Sequence, residues 1–328
     1  MSSTKLIVVI GATGTQGGSV VDTFLSESGW RVRGVTRDIT SEKSRALSSK
    51  GVEMVEANLD DVSSLVRAFD GAQVVFSVTD FWTGFRDPST LQKLEPGQSL
   101  MEWSHDYELQ QGKNVFEAAD KTKNLERLVY SALSNVTKWS GGKYKHVYHF
   151  DSEARAVEYA TTIYPDLMKR TSIIQIGMYL SNTTWMSHYQ PHKNSDGIHV
   201  LRTRIPADAK VPLIATDEDT GPLTLALVKV EPGKNLLAFR ELITLQEFVT
   251  VWGRVNSVET KYEVTGPEEI WVDIPELRQD IEECADYIGE FGFDGGDPTV
   301  VHPKDLGVPV NLPTVEDWIK KQDWSALL

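Results

Sequence analysis

The sequence predicts a doubly wound α/β fold, a parallel sheet covered by helices on both faces, with a smaller α/β lobe interleaved from the C-terminal half. Three observations carry the prediction. Short β-branched runs alternate with helix-patterned segments from Lys5 to about Ser131. The first run ends in a glycine-rich turn that opens a helix. The regular alternation then lapses in the second half of the 328 residues. Repeated strand–helix–strand units imply right-handed crossovers and parallel strands buried on both faces.

Residues 5–10, KLIVVI, read as a buried strand, and the helix after it points Val20, Val21, Phe24 and Leu25 inward. Gly29-Trp30 ends that helix, and RVRGVT at 31–36 is the second strand. A polar helix at 41–49 leads to a strand at 52–56. Asp60 and Asp61 open a helix carrying Leu65, Val66 and Phe69, and Gly71 precedes the strand AQVVFSV at 72–78. Residues 79–100, with Pro88 and Gly97, break the pattern and are long enough for a ligand lid. A helix at 103–121 then turns Val115, Phe116 and Ala119 to the core, before the strand LERLVYS at 125–131. TSIIQIGMYL at 171–180 extends the sheet.

Beyond it, 184–222 is rich in turn signals, and the runs at 223–230 and 235–241 fit strand or helix equally. Residues 274–293 read as a helix with Leu277, Ile281, Cys284 and Ile288 on one side. Thr314 and Asp317 stand at capping-box spacing for a last helix.

The net charge of −14 is unevenly placed: residues 1–170 are nearly balanced, and 171–328 carry almost all of the excess. Without a basic cluster to neutralise phosphates along a duplex, direct DNA binding is disfavoured. A small anion held by a few local donors stays compatible with this charge. No apolar run approaches the roughly 20 residues of a membrane span. The start shows no cleavable apolar signal, so cytoplasmic residence, extending to the nucleus, is the expectation. Cys284 is the only cysteine, which excludes an internal disulfide and a zinc–thiolate cluster.

The sharpest local signal is Gly11-Ala-Thr13-Gly14-Thr15-Gln16-Gly17-Gly18 between the first strand and its helix. Small residues allow a tight turn, and the first helical N–H groups can receive a pyrophosphate. The sheet is therefore expected to be Rossmann-like, with 1–170 as an NAD(P)-binding domain. Residues 171–328 form a mixed substrate or partner lobe, some of whose segments complete the sheet.

The second strand ends in Arg37-Asp38 rather than in a lone carboxylate. Arg37 suits a 2′-phosphate, which favours NADP(H), with NAD(H) as the second option, while Asp38 could bind ribose or pair with the arginine. Asn58 and Asp60 border the adenine side, with a helix cap as the other reading of Asp60. Phe76, Ser77, Val78 and Thr79 end the fourth strand on the ligand edge.

For the proton that hydride transfer requires, the candidates are Ser131, Tyr148 and His149. Glu153 falls one helical turn from His149 and is placed to orient it. Tyr144, Lys145 and His146 supply no decisive arrangement, and Pro191 separates His188 from His192, so no metal set is expected.

Taken together, GATGTQGGSVV at 11–21, VTRD at 35–38, NLDD at 58–61, VVFSVTDFW at 74–82, QGKNVFEAA at 111–119, LVYSALSN at 128–135 and GEFGFDGGD at 289–297 resemble the NmrA-like family. These are atypical members of the short-chain dehydrogenase/reductase superfamily. The resemblance implies that Thr13, Gly14, Gln16, Gly17 and Arg37 line the dinucleotide. It also implies that Phe76 to Thr79 and the 131–135 turn approach its nicotinamide side.

The superfamily's Tyr-x-x-x-Lys pair falls at His149 and Glu153, and the lysine of the related His-Phe-Asp-x-Lys pattern also falls at Glu153. A glutamate cannot supply the lysine's charge. The expectation is accordingly a redox-responsive NADP(H)-binding regulator with a protein partner. The alternative is an NADPH-dependent oxidoreductase acting on a small organic carbonyl, alkene or imine, and behind both stands a cofactor-free adaptor.

Overall fold

The computed structural model describes residues 4–266 and 272–328. The first half runs β1 (Lys5–Ile10), α1 (Thr15–Ser26), β2 (Trp30–Thr36), α2 (Glu42–Ser49), β3 (Glu53–Glu56), α3 (Val62–Phe69) and β4 (Val74–Ser77). It continues with α4 (Thr83–Arg86), α5 (Leu100–Asp120), β5 (Arg127–Ser131), α6 (Val136–Trp139), α7 (Tyr148–Ile163) and α8 (Pro165–Met168). The second half gives β6 (Thr171–Ile176), β7 (Met178–Tyr179), α9 (Asn182–Trp185), β8 (His192–Lys193), β9 (His199–Thr203), β10 (Lys210–Ile214) and α10 (Thr216–Lys229). Then follow β11 (Asn235–Ala238), β12 (Glu241–Thr244), α11 (Leu245–Asn256), β13 (Thr260–Val264), α12 (Pro275–Phe291), β14 (Val300–Val301) and α13 (Val315–Lys321).

Eight parallel strands form the main sheet in the order β14-β11-β6-β5-β4-β1-β2-β3. The fold is a Rossmann-like doubly wound sheet whose strand order reverses between β1 and β4. In such sheets ligands bind at that point, outside the carboxyl ends of the strands. Alternation along β1 divides the core. Ile7 and Val9 face Val20, Val21 and Phe24 of α1 and Leu223 and Leu227 of α10. Leu6, Val8 and Ile10 face Leu65 of α3, Val115 and Phe116 of α5 and Ala156 of α7. Two three-stranded sheets, β12-β10-β7 and β13-β9-β8, belong to the smaller C-terminal lobe. Its separate core is built around Trp252, Trp318 and Phe248.

Several elements differ from the sequence reading. The run at 223–230 lies almost wholly in α10, and β11 claims 235–238. The strand expected through residue 180 stops at Ile176 because Gly177 meets another chain segment: a Cβ there would sit 2.3 Å from the Pro212 carbonyl oxygen. Met178 and Tyr179 then join a different sheet. Helix α5 starts at Leu100, earlier than expected, because Ser99 and Glu102 form a capping box. The buried face of α12 is Asp280, Ala285, Tyr287 and Ile288, so Leu277, Ile281 and Cys284 lie toward its edge. No helix among the described residues is long and apolar enough to cross a membrane.

The Thr314–Asp317 capping box does form, with the Thr314 side chain accepting from the Asp317 N–H at 3.1 Å. It starts the helix that brings Trp318 into the second core. Thr314→Ala is expected to cost about 1 kcal/mol, read as a lowered midpoint in a denaturant titration with an unchanged slope.

Candidate functional site

The glycine-rich turn leaves β1 at the switch point. Gly11 adopts φ +71°, a conformation that favours glycine, and its carbonyl accepts from the Gly14 N–H at 2.8 Å. A Cβ at Gly17 would lie 2.2 Å from the Gly11 oxygen, so only glycine lets α1 approach the turn this closely. Gly14 is the N-cap of α1 and supplies no side-chain acceptor, and both Gly14 and Thr15 are exposed. The helix thus presents uncapped N–H groups and the positive end of its dipole to the crevice, a donor set that fits a pyrophosphate. Thr13 is half-buried beside them, and its carbonyl is approached by the Lys43 ammonium at 3.4 Å. The Gln16 amide donates to the Tyr179 hydroxyl at 2.8 Å, while its own carbonyl oxygen is buried without a partner. Burial pushes the Tyr179 hydroxyl up to about 12.

At the end of β2 the Arg37–Asp38 ambiguity resolves locally. Asp38 accepts from the Thr40 N–H at 2.7 Å and from its hydroxyl at 2.6 Å, and those hydrogen bonds hold the carboxyl below its ordinary range. Asp38 is therefore engaged in its own turn, and Arg37 is exposed at the rim. Asp60 does not cap α3; Asp61 does, accepting from the Ser63 N–H at 2.9 Å. Both oxygens of Asp60 are engaged, by the Tyr107 hydroxyl at 2.8 Å and the Gln111 amide at 2.9 Å. Burial, then the bond to Asp60, raises Tyr107 to about 12. The Asn58 side chain accepts the Asp60 N–H at 3.1 Å, so the loop after β3 is tied to itself and, through Asp60, to α5.

On the other flank, Phe76 and Ser77 are buried at the end of β4, and Val78 would lie 2.8 Å from a Cβ on Gly11. The Thr79 hydroxyl donates to Glu108 of α5 at 2.8 Å. Ser131 is buried at the end of β5. Two residues on, the Leu133 N–H donates to Glu153 at 2.9 Å.

Helix α7 begins at Tyr148, so His149 and Glu153 do share one face, but Glu153 does not orient the imidazole. That partner is Asp280 of α12, fully buried, with its Oδ1 2.7 Å from His149 Nδ1. The contact is an ion pair whose alignment falls outside hydrogen-bond geometry. Burial alone would depress His149; the Asp280 charge, with Cys284 one turn along α12, outweighs it and holds the imidazole well above its ordinary value.

The segment after Thr79 folds over this pair. Phe81 and Trp82 lie 6.0 and 5.6 Å from the His149 ring, and Phe85 packs 5.5 Å from Trp82. The lid expected at 79–100 thus contains α4 and a short 3-10 turn at Pro88–Gln92 rather than an irregular loop.

Tyr148 is not brought together with His149. Consecutive helical residues diverge by about 100°, and Tyr148 lines a cavity of about 480 Å³ with Glu95, Glu102, His105 and Asp106. Burial raises its phenol above the ordinary value. Lys145 is exposed, and His146 Nδ1 pairs with Glu283 at 2.6 Å. The sequence reading missed Asp280, Glu108, Tyr179 and Lys43. Glu108 left a signal, since it stands on the same helical stripe as Gly112, Val115 and Ala119, where a carboxylate is costly.

Residues 3–321 match the NmrA-like family model. The chain is 27% identical over 286 residues to the NmrA-like family domain-containing oxidoreductase malD of Malbranchea aurantiaca, covering 83% of this chain and 78% of that protein. Among solved structures it is similar to NmrA, a negative transcriptional regulator, with a TM-score of 0.74 at 19% identity over 97% of this chain and 95% of that one. For NmrA in complex with NADP the TM-score is 0.70 at 21% identity, over 100% of this chain and 93% of that one.

Proposed function

The chain belongs to the NmrA-like family, and from that premise we propose that it is an NADP(H)-dependent oxidoreductase acting on a small organic carbonyl, alkene or imine. The observation that carries the reading is the His149–Asp280 pair, Nδ1 to Oδ1 at 2.7 Å, beside the aromatic rings of Phe81 and Trp82. The malD relative is named an oxidoreductase, and NmrA is known with NADP bound, in keeping with this reading.

The roles follow from the residues. The N–H groups of Gly14 to Gly17 hold the pyrophosphate, and Arg37 holds the 2′-phosphate through a forked, charge-assisted contact. When bound, the reduced nicotinamide supplies a hydride. Phe81, buried beside that pair, gives an apolar face for the substrate. His149, its Nδ1 fixed by Asp280, uses Nε2 to polarise the substrate oxygen or nitrogen and to deliver its proton. Ser131 borders the same edge and orients the substrate.

The test is oxidation of NADPH by purified protein across a panel of apolar ketones, enones, quinones and imines. Turnover with at least one class is expected, and a protein that binds NADPH but turns over none contradicts the reading. Arg37→Ala is expected to weaken NADPH by about tenfold to a hundredfold, the worth of a charged hydrogen bond, while NADH binding changes little. Equal weakening of both would place Arg37 away from the 2′-phosphate.

A second reading, a redox-responsive regulator, is favoured by Glu153 standing where related reductases carry lysine. It is also favoured by Trp82 and Leu91, exposed on the lid segment where a protein partner could sense cofactor occupancy. Equal partner affinity in the apo, NADP and NADPH forms would contradict it.

A further inference from the structure

The C-terminal lobe holds a second concave site, and no residue of the glycine-rich turn lines it. A cavity of about 380 Å³ lies between the strand pair β8–β9 and helix α12, within the size range of small-molecule sites. Alternation along β9 builds one wall. His199 and Leu201 turn to the second core, where the His199 ring lies 5.4 Å from that of Trp252, so Val200 and Arg202 turn to the cavity. Helix α12 builds the other. Asp280 is spent on His149, while Ile281, about 100° further round the helix, lines the cavity with Ala285 one turn on. The helix thus shows one side to His149 and the next to the cavity. Val200, Ile205 and Ala285 are buried and Ile281 half-buried, which makes the greater part of these walls apolar.

The cavity's charge runs against that of its lobe. Residues 171–328 carry almost all of the chain's negative excess. Yet the described residues that line the cavity include no Asp or Glu, and they do include Lys193, Arg202, Arg204 and two histidines. Their commitments differ. Arg204 gives Nε and one terminal nitrogen to Asp286 at 2.7 and 2.8 Å, a closed fork. Arg202 donates through Nε to Glu263 at 2.9 Å, and Lys261 takes the other oxygen of that carboxylate at 2.7 Å, so two cations share one anion. His192 is tied back to its own loop, with Nε2 2.8 Å from the Ser187 carbonyl oxygen. Lys193 is exposed at the rim and forms no ion pair among the described residues.

We propose that this cavity is a second ligand site, for a compact organic acid whose apolar body sits against Val200, Ile205, Ile281 and Ala285 and whose single carboxylate meets Lys193 and the terminal nitrogens of Arg202. The chemistry selects the class. An apolar body of about ten heavy atoms gains by leaving water for such walls. A cationic ligand meets the surplus of positive charge and is repelled. A phosphate monoester brings close to two negative charges and suits an arginine fork, and Arg204 has given its fork to Asp286. One carboxylate matches what remains. The proposal does not depend on the oxidoreductase reading: the acid is either a separate molecule or the tail of the substrate reduced beside His149, and the experiment tells these apart.

The experiment is calorimetric titration of the full-length protein, without dinucleotide, with 3-phenylpropanoate, with octanoate and with the primary amides of both acids. The expected result is saturable binding of the acids with Kd of about 0.1–1 mM, the usual reach of so small a ligand. The amides are expected to bind about tenfold more weakly, having lost the charged contact. Lys193→Gln is expected to weaken the acids by about fivefold, as for a charged contact at an exposed rim. Ile281→Glu, which sets a carboxylate in the wall, is expected to abolish their binding. Far-UV circular dichroism checks the fold of both variants, and Lys193, exposed and unpaired, can be replaced without touching the core.

Equal binding of acids and amides, native binding in Lys193→Gln, or no saturable binding of either acid overturns the proposal. Displacement of the acid by NADPH would put it in the dinucleotide site and overturns it as well. These titrations involve no turnover, so their outcome is separate from that of the oxidoreductase reading. In the turnover assay, competition between the bound acid and the organic substrate assigns the carboxylate to the substrate's own tail, and binding without competition assigns it to a separate acid.

Discussion

Replacing Gly17 with alanine is expected to lower NADPH affinity by at least about a hundredfold, or about 2.8 kcal/mol, while the protein keeps its sheet. The added Cβ would fall 2.2 Å from the Gly11 oxygen and 2.5 Å from its carbonyl carbon, and backbone atoms cannot swing aside as a flexible side chain does. The turn and the first turn of α1 must separate, and the N–H groups that converge on the pyrophosphate lose their aim. The cost to stability is smaller, about 1–3 kcal/mol for overpacking at one point. The rest of α1 is anchored elsewhere, by Phe24 in the core and by Gly221 of α10 against Ser19. Nicotinamide fluorescence on titration with NADPH measures the binding, and far-UV circular dichroism checks the fold. Binding within about threefold of the native protein would mean that the turn is not the phosphate site.

Asp280→Asn is expected to have the second largest effect, because it removes the charge that keeps His149 protonated. Burial, opposed then only by Cys284, pulls the imidazole down toward or below its ordinary value of about 6.5. In the native protein the pair's contribution to stability is fully present below about pH 6.5, the unfolded value for histidine. It is lost as pH rises through the raised folded value. The variant lacks that contribution, so the stability gap is widest in mildly acidic solution and narrows as the solution becomes alkaline. At pH 6 the gap is expected to be about 3 kcal/mol, at the low end for breaking a buried pair because His149 can shed its proton. Activity that needs the imidazolium should fall about a hundredfold at neutral pH, within the usual worth of a general acid. Its alkaline limb should move to lower pH. An unchanged pH–rate profile would remove His149 as the proton source.

The tight glycine turn was legible because its signals are local: glycines at fixed spacing within eight residues, a β-branched strand before them and a helix after. Arg37 stands exposed after β2, and the role of Asp38 was not legible, since only the fold shows Asp38 held by Thr40. The proton-handling partners were hidden by distance along the chain. Asp280 meets His149 from a helix that begins over a hundred residues later. Tyr179 meets Gln16 across 163 positions. No local spacing marks either contact.

Glu153 shows a different limit. The helical period correctly placed it on the face of His149, yet the nearer turn after β5 claims its carboxylate through the Leu133 N–H. The run at 223–230 was ambiguous because α10 is packed both on the sheet and against α1 beside it, which erases the amphipathic stripe that would have declared a helix. Strands of four and two residues, β11 and β14, are too short to show alternation at all.

In the proposed reaction a proton from His149 accompanies reduction at the carboxyl edge of this sheet. Single-turnover oxidation of pre-bound NADPH, followed with the accepted carbonyl, enone or imine in the native protein and in His149→Gln, tests it most directly. The predicted result is rapid oxidation in the native protein and a rate at least about a hundredfold lower in the variant, with NADPH still bound. Equal rates in the two proteins would contradict it.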